Sequence, residues 1–220
     1  NDTLMFYPDA KAKHDVVPML SWLLAKFSPL YGNVYWTGVN LITVLAALFV
    51  IPLGIYFYLA GFPAAGIAGG IAGSLSITYL VRTSVGRVDT DLLNLFFPFL
   101  GSLFIYLSSK TERTLFRYIY SALAGLSMLV FYWWYFHPGM NVVYLFTLAV
   151  TLVFFRRNIR DIFICILLFV IFSNPMLVLS GFKNLYGFLH TYLIPTGEIS
   201  AGFPDVYSTI TEAKNNPVME

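Results

Sequence analysis

Charge is missing from two long stretches of this chain. Residues 27–81 and 92–109 contain no Asp, Glu, Lys or Arg. A helix needs about 20 consecutive apolar residues to cross a hydrocarbon core. The first stretch is therefore long enough for two crossings and the second for one. Gly61-Phe62-Pro63 reads as a tight reversal, dividing the first stretch into spans over about 34–58 and 62–81. Four more are predicted over about 92–109, 118–134, 141–155 and 162–181. Pro52 in the first span and Asn174-Pro175 in the last predict kinks, which a membrane helix can tolerate. The second span is dense in Ala64, Ala65, Gly66, Gly69, Gly70 and Gly73, small residues that let helices approach closely in lipid.

The pattern predicts an all-α polytopic membrane protein of about six transmembrane helices with external loops. Residues 1–33 form one loop, 34–181 the helical domain with a short loop at 82–91, and 182–220 a second long loop. Within the first loop, residues 1–26 read as solvated, with Met19–Leu24 resting on the bilayer. Leu185–Ile194 is amphipathic and predicts a segment lying on the membrane surface. Composition agrees: 58% of residues are hydrophobic and 11% charged, against about 25% charged in a soluble domain. The net charge of +2, without a basic run, excludes nucleic acid as a partner class. Cys165 lies in an apolar span and reads as a small buried hydrophobe, with no second cysteine to pair with. The chain opens at Asn1 and ends without a closing element at Glu220, so it reads as a piece of a longer polypeptide.

Orientation follows from the basic residues. Lys110, Arg113 and Arg117 crowd one connection, and Arg156, Arg157 and Arg160 another. Short loops dense in Lys and Arg stay cytoplasmic. Counting spans from them places 1–33, 82–91, 135–140 and 182–220 together on the non-cytoplasmic face.

That face holds the candidate chemistry. The turn Arg82-Thr83-Ser84-Val85-Gly86-Arg87-Val88-Asp89-Thr90-Asp91 packs four charges between two charge-free spans. Hard divalent cations take oxygen ligands, and Asp89-x-Asp91 offers two carboxylates from one short backbone piece. The competing reading is a helix N-cap, which Asp91 fits directly before Leu92. Arg82 and Arg87 either balance the aspartates or bind a phosphate through the guanidinium fork, with Arg82 favoured for the functional role. Tyr132-Trp133-Trp134-Tyr135-Phe136-His137 suits an interfacial aromatic belt, or the wall of a sugar or lipid-phosphate pocket. A lone His137 in such a turn more often makes a local hydrogen bond than ligates a metal, and His14 and Asp15 are weaker candidates still. In the tail, Glu212 reads as a surface carboxylate or, sharing a face with Asp89 and Asp91, as a third oxygen ligand.

Three motifs in this order, Arg82-Thr83-x-x-Gly86-x-x-Asp89-Thr90-Asp91, Trp133-Trp134-Tyr135 and Thr209-Ile210-Thr211-Glu212, resemble the catalytic subunit of N-oligosaccharyltransferases in its single-subunit bacterial and archaeal form. The opening Asn1–Pro8 looks like part of that family's first external loop. The resemblance implies a GT-C type glycosyltransferase. Its reaction moves an oligosaccharide from a polyprenyl-pyrophosphate carrier to the Asn amide of an Asn-x-Ser/Thr sequon. It also implies Mg²⁺ or Mn²⁺ held by Asp89, Asp91 and Glu212, with Asp89, Glu212 and Arg82 as the catalytic set. Tyr135, Thr209, Trp133 and Trp134 would bind substrate. The enzyme would sit in the inner or plasma membrane with its active face non-cytoplasmic. Two family features lie outside this chain, an Asp early in the first external loop and a C-terminal sequon-binding domain, so the piece alone is expected to be inactive.

Two other classes remain open from the residues. One is a different membrane glycosyltransferase using a polyprenyl-phosphate sugar, which would not need a sequon-facing segment at Thr209–Glu212. The other is a non-enzymatic transporter or lipid-binding protein, which would carry ionisable residues inside its spans. The six spans assigned above contain none.

Overall fold

The structure, a computed structural model, describes residues 19–84, 90–135, 137–155 and 157–193. The chain divides into two compact units, 1–184 and 185–220. All regular elements among the described residues are helical: α1 (Met19–Tyr31), α2 (Val34–Ala47), α3 (Val50–Ala60), α4 (Pro63–Leu75), α5 (Ile77–Arg82), a 3-10 turn at Thr90–Leu93, α6 (Phe96–Lys110), α7 (Thr114–Trp134), α8 (Pro138–Phe154), α9 (Ile159–Ser173) and α10 (Pro175–Leu193).

Local chemistry sets the breaks. Pro52 has no N–H to give to the carbonyl four residues back, and its ring crowds that carbonyl, which belongs to Leu48. The backbone tightens there instead: Leu48 N–H donates to Leu45 O at 3.2 Å and Ile51 N–H to Leu48 O at 3.1 Å. Together α2 and α3 still make one apolar stretch, Val34–Ala60. Gly61 takes the left-handed conformation at φ 90°, and Pro63 starts α4 at a position where its missing N–H costs nothing.

The predicted span over 162–181 is not one helix. Pro175 excludes helical backbone at the residue before it, and Asn174 adopts φ 71° and ψ 112°. Asn174 Oδ1 then accepts the Met176 N–H at 3.0 Å and caps α10. The result is a 94° bend between α9 and α10. The expected surface segment after Asn184 begins as a continuation of α10, which runs to Leu193.

Among the described residues, three stretches can cross a membrane by length and apolarity, Val34–Ala60, Thr90–Lys110 and Thr114–Trp134, with the bent α9–α10 pair as a fourth. At 1.5 Å per residue, α7 spans roughly 30 Å and matches a hydrocarbon core. The 13 residues of α4 span only roughly 20 Å, and α8 is likewise short. Of the spans read from charge-free runs, those at α4 and α8 are the ones whose helices are shorter than a full crossing among the described residues. The Met19–Leu24 stretch, expected to rest on the bilayer, is helical. It opens a helix, α1, whose Trp22 ring packs on Trp133 of α7 with centroids 5.8 Å apart.

Helices α6, α7, α8 and α9 form the packed centre. Phe97, Met128, Phe131, Leu148, Leu152, Cys165 and Phe169 are buried there. At Gly125 of α7, an added Cβ would run into the Phe169 carbonyl of α9, so glycine lets these two helices touch backbone to backbone.

The basic connections gather at one end of this bundle. Arg117 is 4% exposed, pairs with Asp161 of α9, and also donates to Thr111 O at 3.2 Å. Tyr118 Oη donates to the other Asp161 oxygen at 2.8 Å. Both ionisable residues fall just outside the spans read from sequence but inside helices of the structure. Arg157 reaches Ser109 O, Lys110 O and the exposed Glu112. The hydrogen bond and charge of Arg157 hold the Glu112 carboxyl below its usual range.

Candidate functional site

Opposite the basic end, α5 and the 3-10 turn meet the start of α6. Leu92 and Leu93 of the turn are 0% and 3% exposed, and their burial fixes how Asp91 is presented. The carbonyl of Thr90 accepts the indole N–H of Trp134, the last residue of α7. Tyr79 of α5 lies against the same turn, its hydroxyl 2.7 Å from Ala46 O and 3.3 Å from Leu92 O. Its ring meets Phe49 edge-on, with centroids 5.5 Å apart. Side chains from two other helices thus pin Thr90 and Leu92, the residues on either side of Asp91.

On that platform the Asp91 carboxylate is held by both oxygens. Arg82 Nη1 donates to Oδ2 at 2.7 Å, and Asn94 Nδ2 donates to Oδ1 at 2.8 Å. The Asp91 side chain is 16% exposed and that of Arg82 38%. Asp91 is not a helix N-cap: it lies inside the 3-10 turn, and α6 begins after Leu95 with no side-chain cap. Arg82, Asp91, Asn94 and Tyr79 line a cavity of about 420 Å³, with Ser76 and Thr78 adding hydroxyls and Gly73 and Leu95 apolar wall.

Of the residues read from sequence, the structure brings Arg82 and Asp91 together. It sets Tyr135 at the same end of the bundle, directly after Trp134, with its ring 4.2 Å from that of His137. Trp134 is 2% exposed and supports the turn from below, while Trp133 is 37% exposed and faces α1. Asp89, Thr209 and Glu212 lie outside the described residues. So do Arg87, His14 and Asp15.

Sequence reading missed Asn94 and Tyr79. Each had a weak signal: Asn94 follows Asp91 by three residues, and Tyr79 precedes Arg82 by three, the spacing that puts side chains on one helical face.

For a divalent cation, the described residues contain no cluster of three His, Cys, Asp or Glu. Around this cavity they supply one carboxylate, Asp91, and each of its oxygens already accepts an N–H. An oxygen ligand of this kind suits a hard cation, with Asp91 contributing a lone pair not spent on Arg82 or Asn94. The remaining acids of the expected set are Asp89 and Glu212.

These features define an all-α integral membrane protein with a carboxylate–guanidinium site at one end of its helices. The family model described as oligosaccharyl transferase STT3, N-terminal, matches residues 6–205, and the chain belongs to that family. Oligosaccharyl transfer is therefore its general activity class. No curated protein and no solved structure matches the chain.

Proposed function

We propose that the protein transfers an oligosaccharide from a polyprenyl-pyrophosphate carrier to the Asn side chain of an Asn-x-Ser/Thr sequon. It would act on the non-cytoplasmic face of an inner or plasma membrane. The observation that carries this reading is the Arg82–Asp91–Asn94 cluster beside its cavity, in a chain matched to the STT3 family over 6–205. The sidedness rests on Lys110, Arg113, Arg157 and Arg160, which crowd the opposite end and by charge favour the cytoplasm.

Each residue has a role that follows from its chemistry. A pyrophosphate leaving group develops negative charge as the glycosidic bond breaks. Arg82, fixed by Asp91, offers a guanidinium at the cavity to stabilise that charge. Mg²⁺ or Mn²⁺, held by Asp89, Asp91 and Glu212, would supply further Lewis-acid neutralisation of the phosphates. The amide nitrogen of Asn is a poor nucleophile, so Asp89 and Glu212 would hold and polarise the acceptor carboxamide. Tyr135 and Trp133 would line the donor site, and Thr209 would sit beside the acceptor with Glu212.

The deciding experiment places the full-length protein in vesicles with lipid-linked oligosaccharide and a sequon peptide. Asp89→Ala and Glu212→Gln should each abolish glycopeptide formation, and omission of divalent cation should do the same. Undiminished transfer by both variants would falsify the assignment.

A further inference from the structure

We propose that Asn94 is a positioning residue for Asp91 in the transfer reaction, an inference that rests on the function proposed above. A carboxylate beside a guanidinium tends to turn until both oxygens face it, forming the two-bond fork. Here that rotation is blocked. Arg82 Nη1 takes Oδ2 at 2.7 Å, while Asn94 Nδ2 takes Oδ1 at 2.8 Å from another direction. Two donors on two oxygens fix the plane of the carboxylate.

Asn94 is itself held for this task. It sits between the 3-10 turn and α6, with its backbone N–H donating to Asp91 O at 3.2 Å. Leu93 before it is buried, so the segment cannot swing. The other end of its amide is telling: Asn94 Oδ1 is buried and has no hydrogen-bond partner among the described residues. An unsatisfied buried acceptor lowers stability, and leucine, of the same branched outline, would avoid that cost. The amide is kept where only its N–H₂ group is used, and it is used on Asp91. Asn94, Asp91 and Arg82 all line the same cavity, so this bond sets the orientation of the carboxylate within the site.

The test uses the full-length protein in vesicles, with lipid-linked oligosaccharide and sequon peptide. Asn94→Leu removes the donor while keeping the branched outline of the side chain. Its kcat should fall roughly tenfold or more, because small misplacements of a site group carry such penalties. The peptide KM should stay within about twofold, and the melting temperature should shift little, because losing the donor to Asp91 Oδ1 and removing the orphaned Asn94 Oδ1 act in opposite directions. Asn94→Ser, whose hydroxyl can still donate, should recover part of kcat. Asn94→Leu with wild-type kcat overturns the proposal. So does a loss of kcat in Asn94→Leu and Asn94→Ser that follows loss of folded protein, since that marks a structural role. If Asp89→Ala and Glu212→Gln remain active, the transferase reading fails first and the positioning role falls with it. If those two are dead and Asn94→Leu is unimpaired, only the positioning role fails.

Discussion

The indole N–H of Trp134 donates to the carbonyl oxygen of Thr90, joining the end of α7 to the turn that carries Asp91. One residue further along the chain is Tyr135, so the two loops expected to carry chemistry share an anchor. The orientation of Asp91 thereby depends on the helix that also forms the centre of the bundle.

Replacing Trp134 by Phe removes the donor together with part of a buried ring. The Thr90 carbonyl then loses that donor at a part-buried position, a loss of about 0.5–1.5 kcal/mol. Thermal unfolding in detergent should show a lowered melting temperature, and transfer per folded molecule should fall because the turn gains freedom. Trp133→Phe is the comparison. That side chain is 37% exposed and packs on Trp22, so a ring of either kind serves and both readouts should change less.

Arg82 tests the site with little disturbance of the fold. Its side chain is 38% exposed, and an ion pair that open contributes no more than about 1 kcal/mol. Arg82→Lys keeps the charge but loses the planar fork that binds phosphate oxygens in pairs. Melting should shift by no more than that amount permits, while kcat/KM for the lipid-linked donor should drop roughly tenfold or more. A lysine variant with full activity would show that a point charge suffices at this position.

The sequence made the membrane class and the boundary turn legible because both are written in local composition. Charge-free runs and the Arg82–Asp91 cluster need no tertiary information. The partners of Asp91 do. Asn94 lies in an apolar segment where one amide looks incidental, and Tyr79 has its counterparts on α2 and on the turn, 33 and 13 residues away. The bend at Asn174-Pro175 was visible as a kink, but its 94° size depends on Asn174 taking a positive φ and capping the next helix. Arg117 was read as a loop charge because it sits near a helix end, and its partner Asp161 stands 44 residues away. Only their pairing across α7 and α9 explains how Arg117 can be buried.

Glycine substitutions separate close packing from helix propensity. Gly54 of α3 has open space where a Cβ would go, so Gly54→Ala should be neutral or stabilising by up to about 1 kcal/mol through helix propensity. Gly125→Ala has the same propensity gain but drives its Cβ into the Phe169 backbone. Backbone cannot rotate away as a side chain can, so α7 and α9 must separate, at a cost of about 1–3 kcal/mol. Melting temperatures of the two variants measured side by side should move in opposite directions, or at least differ by that margin.

The Arg117–Asp161 pair tests whether the basic end of the bundle is structural. Arg117 lies 17 residues from Trp134 along α7, a separation of roughly 25 Å in a helix, so it cannot touch the Asp91 turn. Arg117→Met strands Asp161 with only Tyr118 donating to it, and breaking a buried pair in this way costs about 3–5 kcal/mol. The double variant Arg117→Met/Asp161→Leu removes both charges and should recover most of that loss, since an apolar pair of similar volume often does as well as the ions. Tyr118 then loses its acceptor, so recovery should be incomplete unless Tyr118→Phe is added. Throughout this series, transfer per folded molecule should stay near wild type. A fall in kcat that tracks the charge change rather than the melting temperature would instead couple this end to the chemistry at the other.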